Sequence, residues 1–391
     1  MGVSNAIVIG AGIGGLAVAV ALARRGVSVT VLEQAPEITE VGAGLQVSPN
    51  GLAVLRALGL EKRLIGRGAV RGRAVVMQAH DAAGCDVARL DLMRLPPEQA
   101  YYFMHRADLV DVLLQAAREH NVSFELGCVV ASVASGETPQ VQLESSEMRR
   151  AEVVIGADGI HSRARRALNG ADDAFFTGQV AWRATVPNTF GYEDVAMVTM
   201  GPARHLVSYP LRGGEMVNLV AVEERSDWAE EGWNHVDDPA NLRAAFAGFD
   251  GIAAQMIAAV EAPTLWGLHR HPVAQVWQRG GVALLGDAAH PTLPFLAQGA
   301  NMALEDAWVL TEHIVQGGVA ALEHYEVQRK PRVSRVIKAA NGNAWRYHLK
   351  PGPLRFAAHT ALKLGSRVAP ARMLSAFDWL YGHDVTARVP H

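Results

Sequence analysis

Three acidic residues of this chain each close a short run of aliphatic and β-branched residues: Glu33 after SVTVL, Asp158 after VVIGA and Asp287 after VALLG. A carboxylate at a strand end can accept hydrogen bonds from hydroxyl groups and does little else unless a partner group stands beside it. Between the first strand and the first of these acids lies the turn Gly10-Ala11-Gly12-Ile13-Gly14-Gly15, in which Gly10, Gly12 and Gly15 fit G-x-G-x-x-G. Such a turn lets backbone approach a pyrophosphate, and the helix that follows aims N–H donors and a positive dipole at it. Beyond Asp287 the chain reads AAHPTLPFLAQGANMALEDA, so that the acid, a proline-stiffened loop and a helix opening at Gln298-Gly299-Ala300-Asn301 fall in order. Together these residues can hold one long, phosphorylated, hydroxyl-rich molecule at several points without a covalent bond.

The elements that must position them are legible. NAIVIGAGIGGLAVAVALARRGVSVTVLEQ gives a strand over Ala6 to Ile9, the glycine turn, an Ala-rich helix and a second strand ending at Glu33. This is a dinucleotide-binding unit, with FAD, NAD and NADP all open at this point. Three strands ending in Gly or Asp suit a cofactor stretched across a doubly wound sheet, because ligands there collect at the carboxyl ends of strands. A simple NAD dehydrogenase needs one such end. From about Gly178 to Val222 the pattern changes to QVAWRATV, VAMVTMG, RHLVSYPL and EMVNLVAVEE, alternating strands with glycine turns such as Arg212-Gly213-Gly214. They predict an antiparallel sheet distinct from the cofactor sheet, with Arg71 to Leu92 adding strands to it. After Ala303 the sequence is helical. Its apolar, scattered-basic end, RFAAHTALKLGSRVAPARMLSAFDWLYGHD, is expected to be a packed helix or a dimer contact.

Composition excludes several classes. The 391 residues are 50% hydrophobic and 19% charged with net charge −3, without the positive field of a nucleic-acid binder. Cys85 and Cys128 are the only cysteines, too few for a disulfide framework or a Cys-based metal site, and no metal is expected. No basic segment precedes the first apolar run, and the longest such run, Ala6 to Ala23, is broken by Gly10, Gly12, Gly14 and Gly15. A cytoplasmic protein with no integral membrane association is expected.

GAGIGG with Glu33, the segment Asp158-Gly159-x-x-Ser162-x-x-Arg165 and Gly286-Asp287 stand in one order along most of the chain. In this the chain resembles the single-component FAD-dependent aromatic hydroxylases. EVGAGLQVSPNG, HRADL and LAQGANMALEDA look most like the branch acting on salicylate, 3-hydroxybenzoate and 6-hydroxynicotinate. The resemblance implies non-covalent FAD, with Asp287 on the ribityl chain, Arg106 on the phosphates, and the Asp158 segment serving both FAD and a transient NADH or NADPH. It also implies that Gly299, Ala300 and Asn301 face the N1 and C2 carbonyl edge of the flavin and that Pro294 sits near its C4a edge. Many relatives carry Pro-Pro-x-Gly where this chain has LPFLAQG.

The implied reaction is hydroxylation of a small phenolic or hydroxy-heteroaromatic acid by a flavin C4a-hydroperoxide, with NAD(P)H and O₂ as co-substrates. A phenolate is a far better nucleophile than a phenol, so a base is useful, and histidine suits neutral pH. His205 lies on a predicted platform strand with Tyr209 on the same face at i+4, and relatives resembling this segment use its histidine as base. Arg183 and Gln46 are candidate pocket residues, Arg183 as partner of a substrate carboxylate, and Gln298 is a further catalytic candidate; His290 reads as scaffold. The expected fold is α/β: a Rossmann-like FAD-binding domain with a parallel sheet (1–70, 100–175 and 280–320), an inserted antiparallel-sheet substrate domain (71–99 and 176–279) and a C-terminal helical region (321–391), as monomer or homodimer. The alternatives are an FAD reductase or oxidase on a non-aromatic substrate, and a flavin-binding module without catalysis. The purified protein should be yellow, and acid precipitation should carry the colour into the supernatant as FAD; a yellow pellet, or FMN in the supernatant, would count against this reading.

Overall fold

The β-branched runs at Asn5–Ile9 and Ser28–Glu33 pair in parallel because the Ile13–Ala23 helix returns the chain across one sheet face. The computed structural model of the chain describes residues 2–38, 43–81, 85–171, 174–225 and 235–387, with the backbone alone for 343–346. Glu40 to Gly42 of the EVGAGL stretch lie outside the described residues. The cofactor-type sheet has the order Gln278–Arg279, Val282–Leu284, Val153–Gly156, Asn5–Ile9, Ser28–Glu33, Ser123–Leu126. Only its Gln278–Arg279 edge is antiparallel. Its register matters most. Ile9 stands opposite both Gly156 and Leu32, and Gly156 opposite Leu284. Gly10, Ala157-Asp158 and Leu285-Gly286-Asp287 therefore emerge shoulder to shoulder at one carboxyl edge.

A seven-stranded sheet forms a platform over that edge, ordered Thr264–Arg270, Phe175–Pro187, Met216–Glu224, Arg204–Leu211, Val195–Gly201, Ala74–Ala79, Asp86–Asp91. It departs from a purely antiparallel sheet at one pair, Val195–Gly201 with Ala74–Ala79, which runs parallel. Ala74–Ala79 enters from the preceding cofactor-binding segment rather than from a hairpin, so its direction is set by that crossover. Alternation gives the platform two faces. Trp182, Leu206, Leu219 and Ala221 pack with the short helices Pro239–Ala245 and Gly251–Ala258. The opposite face carries Ala181, Val222, Trp266 and Leu268, clustered with Leu293 and Phe295 of the loop after Asp287.

Helices Gly299–Gly317 and Leu322–Tyr347 close the cofactor side. Their contact is ionic where it is deepest. Arg329 donates from Nε to Asp306 (2.7 Å) and from Nη1 to Glu305 (2.5 Å), with all three side chains sealed from solvent. Glu305 also accepts from Arg332 (2.7 and 2.8 Å) and from Asn50 (2.6 Å). Asp306 accepts from the Gly286 amide (3.2 Å) and is bonded to His290 Nε2 (2.5 Å), which makes His290 scaffold. The Pro353–Val368 helix buries no residue completely, whereas Leu374, Leu380 and Tyr381 beyond it are buried. Among the described residues no helix is long and apolar enough to cross a membrane.

Burial pushes the Asp306 carboxyl up, but His290 and Arg329 beside it, with their hydrogen bonds, bring it down to about 2. A depressed folded-state pKa contributes stability that is complete above the usual carboxylate range and is lost as pH falls towards 2. Arg329→Met leaves two carboxylates buried with reduced compensation and is expected to cost about 3–5 kcal/mol. Urea melts at neutral pH should show that loss, and the acid-unfolding midpoint of the variant should lie above that of the parent.

Candidate active site

The glycines of the first turn divide into those required by the protein and one that is not. Gly10 has φ +99°, and a Cβ there would lie 2.5 Å from the Ala157 carbonyl oxygen of the adjacent strand end. A Cβ on Gly15 would lie 2.0 Å from the Gly10 oxygen, and one on Gly14 would lie 2.5 Å from Leu285 Cδ2. Gly12 differs. Its φ of −72° suits any residue, and among the described residues no atom beyond its chain neighbours lies within 4 Å of the position a Cβ would take. Gly12 caps the helix beginning at Ile13 without a side-chain hydrogen bond, and the first turn holds no acid. Orphan amide donors beneath open space fit a pyrophosphate pressed against backbone.

Glu33 reaches back to this turn. The Ala11 amide donates to its Oε2 (2.8 Å) and the Ala35 amide to its Oε1 (2.9 Å). Each oxygen keeps acceptor capacity for a ribose hydroxyl. Asp158 is committed inward instead: the Ser162 hydroxyl donates to Oδ1 (2.5 Å), and the Arg163 and Ala164 amides donate to Oδ2 (2.7 and 3.3 Å). Burial pushes this carboxyl above its usual range, and those donors draw it back. With Ser162, the N-cap whose Oγ accepts from the Arg165 amide (2.8 Å), it thus holds the start of the Arg163–Asn169 helix. That helix presents Arg165, almost fully buried, whose guanidinium donates to the carbonyls of Ala288 (3.2 Å), Ala289 (3.1 Å) and Pro272 (2.6 Å). The second motif is thereby bonded to the backbone just after the third.

Asp287 stands in the turn Gly286–Ala288, an exposed residue between two buried neighbours with protein groups close around its carboxyl. Burial there pushes the carboxyl up, while His290, Arg106 and His271 pull it down. Arg106 opens the Arg106–Glu119 helix, with its amide donating to the Ala43 carbonyl (3.2 Å). An acceptor and a cation therefore share one recess, as the ribityl and phosphate parts of FAD require.

The far end of the recess is the Gly299–Gly317 helix, again without a side-chain cap or an acid in its first turn. Half-exposed Gly299 and Ala300 supply its leading amides. Asn301 holds this terminus by accepting from the Ser48 amide (3.0 Å) and donating to the carbonyls of Gln46 (2.9 Å) and Ala297 (2.8 Å). Gln46 in turn accepts from the Tyr101 hydroxyl (2.7 Å). Gln298 is buried, donating to Ser48 Oγ (3.0 Å) and accepting from Asn50 (3.1 Å), so its amide braces the loop. Pro294, half-buried, begins the turn Pro294–Leu296.

Facing that turn is the platform. His205 is 1% exposed, with its ring 6.0 Å from Phe295 and its Nδ1 2.7 Å from His348 Nε2. Burial, then His348, holds its pKa well below the ordinary histidine value. Tyr209, on the same face, packs 5.4 Å from the Phe103 ring; burial pushes its phenol up, tempered by Arg183. The Arg183 guanidinium lies 4.3 Å over the Trp266 ring. Trp266 and His348 lie in no quoted motif, and although Ser48 and Asn50 fall in EVGAGLQVSPNG and Phe295 in LPFLAQG, nothing there singled these residues out. Trp266 and Phe295 fall only at alternating or loop positions of ordinary apolar segments.

This recess, gripped at both ends by uncapped helix termini and roofed by a sheet, is that of a flavin-dependent oxygenase. The chain belongs to the FAD binding domain family, whose model matches residues 4–340, and within it to the aromatic hydroxylases. It is 36% identical over 390 residues to 3-amino-4-hydroxybenzoate 2-monooxygenase PtnB3 of Streptomyces platensis, covering 96% of this chain and 95% of that one. Identity is also 36% over 400 residues to 3-hydroxybenzoate 6-hydroxylase of Polaromonas naphthalenivorans, covering 97% and 96%. The crystal structure of Klebsiella pneumoniae HpxO complexed with FAD and uric acid superposes with TM-score 0.83 at 26% identity, covering 96% and 97%.

Gly12→Ala should leave the thermal stability of the flavin-free protein unchanged and weaken FAD binding, whereas Gly15→Ala should lower stability itself. Asp287→Ala and Glu33→Ala each remove an acceptor worth ~1.5–3 kcal/mol, so FAD affinity should fall roughly ten- to a hundred-fold. Flavin retained per protein after dilution, read beside the melting temperature, separates these outcomes.

Proposed function

We propose that this protein hydroxylates a small phenolic or hydroxy-heteroaromatic acid, of the 3-hydroxybenzoate or salicylate kind, at the expense of O₂ and NADH or NADPH. The observation that carries the reading is a buried histidine on the platform face opposite the Pro294–Leu296 turn, inside a fold whose recess fits FAD. Relatives named for hydroxybenzoate oxygenation support it.

In this reading Glu33 holds the adenosine ribose, the Gly12-Ile13-Gly14-Gly15 amides and Arg106 hold the phosphates, and Asp287 holds the ribityl hydroxyls. The Gly299, Ala300 and Asn301 amides face the flavin's carbonyl edge. Asp158 acts through the helix whose start it holds. FAD, once bound and reduced by NAD(P)H, supplies activated dioxygen. The protein's own part is to bind, orient and deprotonate the aromatic substrate. Ala181, Val222, Trp266, Leu293 and Phe295 form an apolar wall that excludes water from the ring. Arg183 pairs with the substrate carboxylate, held in orientation by stacking on Trp266. His205 takes the phenolic proton, and Tyr209 borders the same face. Pro294 bounds the pocket on the loop side, and Gln298 keeps that loop in place.

A panel of hydroxybenzoates and hydroxypyridine carboxylates, scored by aromatic-stimulated NAD(P)H oxidation and product mass, tests the substrate class; no stimulation by any member would refute it. With the best substrate, His205→Ala should retain flavin yet hydroxylate about 10²–10⁴-fold more slowly. Oxygen should then be released as H₂O₂. Raising pH towards the phenol's own pKa of ~10 should restore part of the rate, since solvent then supplies the phenolate. Unchanged product per NAD(P)H at neutral pH would remove His205 from the reaction.

A further inference from the structure

His205 does not stand alone in its buried position. Its Nδ1 lies 2.7 Å from His348 Nε2, and His348 Nδ1 lies 2.6 Å from Glu224 Oε1. Exposure rises along this row: His205 is 1% exposed, His348 6%, and the Glu224 side chain 47%. His205 and Glu224 come from the paired strands Arg204–Leu211 and Met216–Glu224, and His348 from the residue after the Leu322–Tyr347 helix. His205 Nε2, on the ring edge away from the Nδ1 that meets His348, makes no protein hydrogen bond among the described residues, and the ring borders Phe295 of the loop after Asp287.

We propose that His348 and Glu224 form a proton relay that sets the tautomer of His205 and carries the substrate's proton from the pocket to solvent. The inference rests on the reading of His205 as the base. A carboxylate can only accept, so Glu224 fixes the His348 proton on Nδ1. His348 Nε2 then bears a lone pair and must accept from His205 Nδ1–H. That leaves the lone pair of His205 on Nε2, the nitrogen without a protein partner. The row therefore dictates the one neutral tautomer able to take a proton on the pocket side. When the substrate O–H bond breaks, its proton forms Nε2–H on His205. The Nδ1 proton of His205 passes to His348 Nε2, and that of His348 Nδ1 passes to Glu224 and then to water. Charge is conserved at each step, and the starting tautomers return when His205 Nε2–H protonates the product oxygen while a proton passes back along the row from solvent to His205 Nδ1.

A relay answers a physical difficulty. Burial and the neighbouring His348 both disfavour an imidazolium at His205, so this residue is poorly suited to keep the proton it takes. Passing it on avoids holding charge inside an apolar pocket. The other groups around the row do not interrupt it. The Tyr347 ring lies tilted beside His205, centroids 5.2 Å apart and planes at 52°. Arg204, which disfavours a cation on His348, is itself paired with Glu223 at 3.4 Å, and Glu223 with Arg225 at 3.2 Å. The Ala203 amide bonds the His348 carbonyl (3.4 Å) and fixes its backbone.

His348→Gln is the informative variant, because a glutamine can accept from His205 and donate to Glu224 yet cannot pass a proton. Glu224→Gln removes the exposed terminus without touching the pocket, and Glu224→Asp should rescue it in part. With an accepted phenolic acid, the flavin-loaded variants should keep FAD content, melting temperature and aromatic KM. Product per NAD(P)H should fall about ten-fold or more at neutral pH. The deficit should close as pH approaches the phenol's ionisation, and the solvent deuterium isotope effect on the remaining hydroxylation should increase. Parental coupling and isotope effect in both Gln variants, with His205→Ala uncoupled, would overturn the relay and leave the base assignment standing. Parental coupling in His205→Ala would overturn the base assignment itself. Should His348→Gln lower stability, Glu224→Gln at the surface decides: unchanged coupling there refutes the relay.

Discussion

The site depends on the buried charges of Arg329, Glu305 and Asp306. Arg329 bridges two consecutive carboxylates on the Gly299–Gly317 helix, and each carboxylate passes the constraint to a different part of the recess. Through the Gly286 amide and His290, Asp306 holds the turn that presents Asp287. Glu305 holds Asn50, which positions Gln298 at the helix's uncapped start. Ionic bonds of this kind are poor sources of net stability, since desolvation offsets much of their attraction. Their value here is geometric: Asp287 and the leading amides of the Gly299–Gly317 helix are referred to one rigid centre.

A second fastening acts on the other side of the same turn. Arg165 bonds three backbone carbonyls around Ala288 and Ala289, so the Asp158 and Asp287 segments cannot shift independently. The two motifs, 129 positions apart by subtraction, behave as one surface. The contrast between Asp158 and Asp287 follows from this division. One acid accepts three hydrogen bonds from the start of its own helix; the other accepts fewer from protein and has more acceptor capacity to offer.

What could be read from the chain was what is local. The glycine turn, the strand before it and Glu33 lie within 33 residues, and their spacing alone sets their relation. The His205/Tyr209 face was legible from strand alternation for the same reason. The bracing of Gln298 was not legible, because its partners Ser48 and Asn50 lie 250 and 248 residues away. His348 and Glu224 escaped notice for a similar reason, separated by 124 residues and belonging to no shared pattern. The parallel entry of Ala74–Ala79 beside Val195–Gly201 also had no signal, since hydrophobic alternation is the same in either direction.

The two-faced platform has an evolutionary consequence. Because successive residues of a strand point to opposite sides, Ala181, Arg183, Val222 and Trp266 can be exchanged without disturbing the Trp182, Leu206 and Ala221 layer behind them. Nor do those positions contribute to the fastenings that hold the cofactor recess. On the proposed reading, substrate preference can therefore drift by single substitutions on one sheet face while the packed layer behind it is kept.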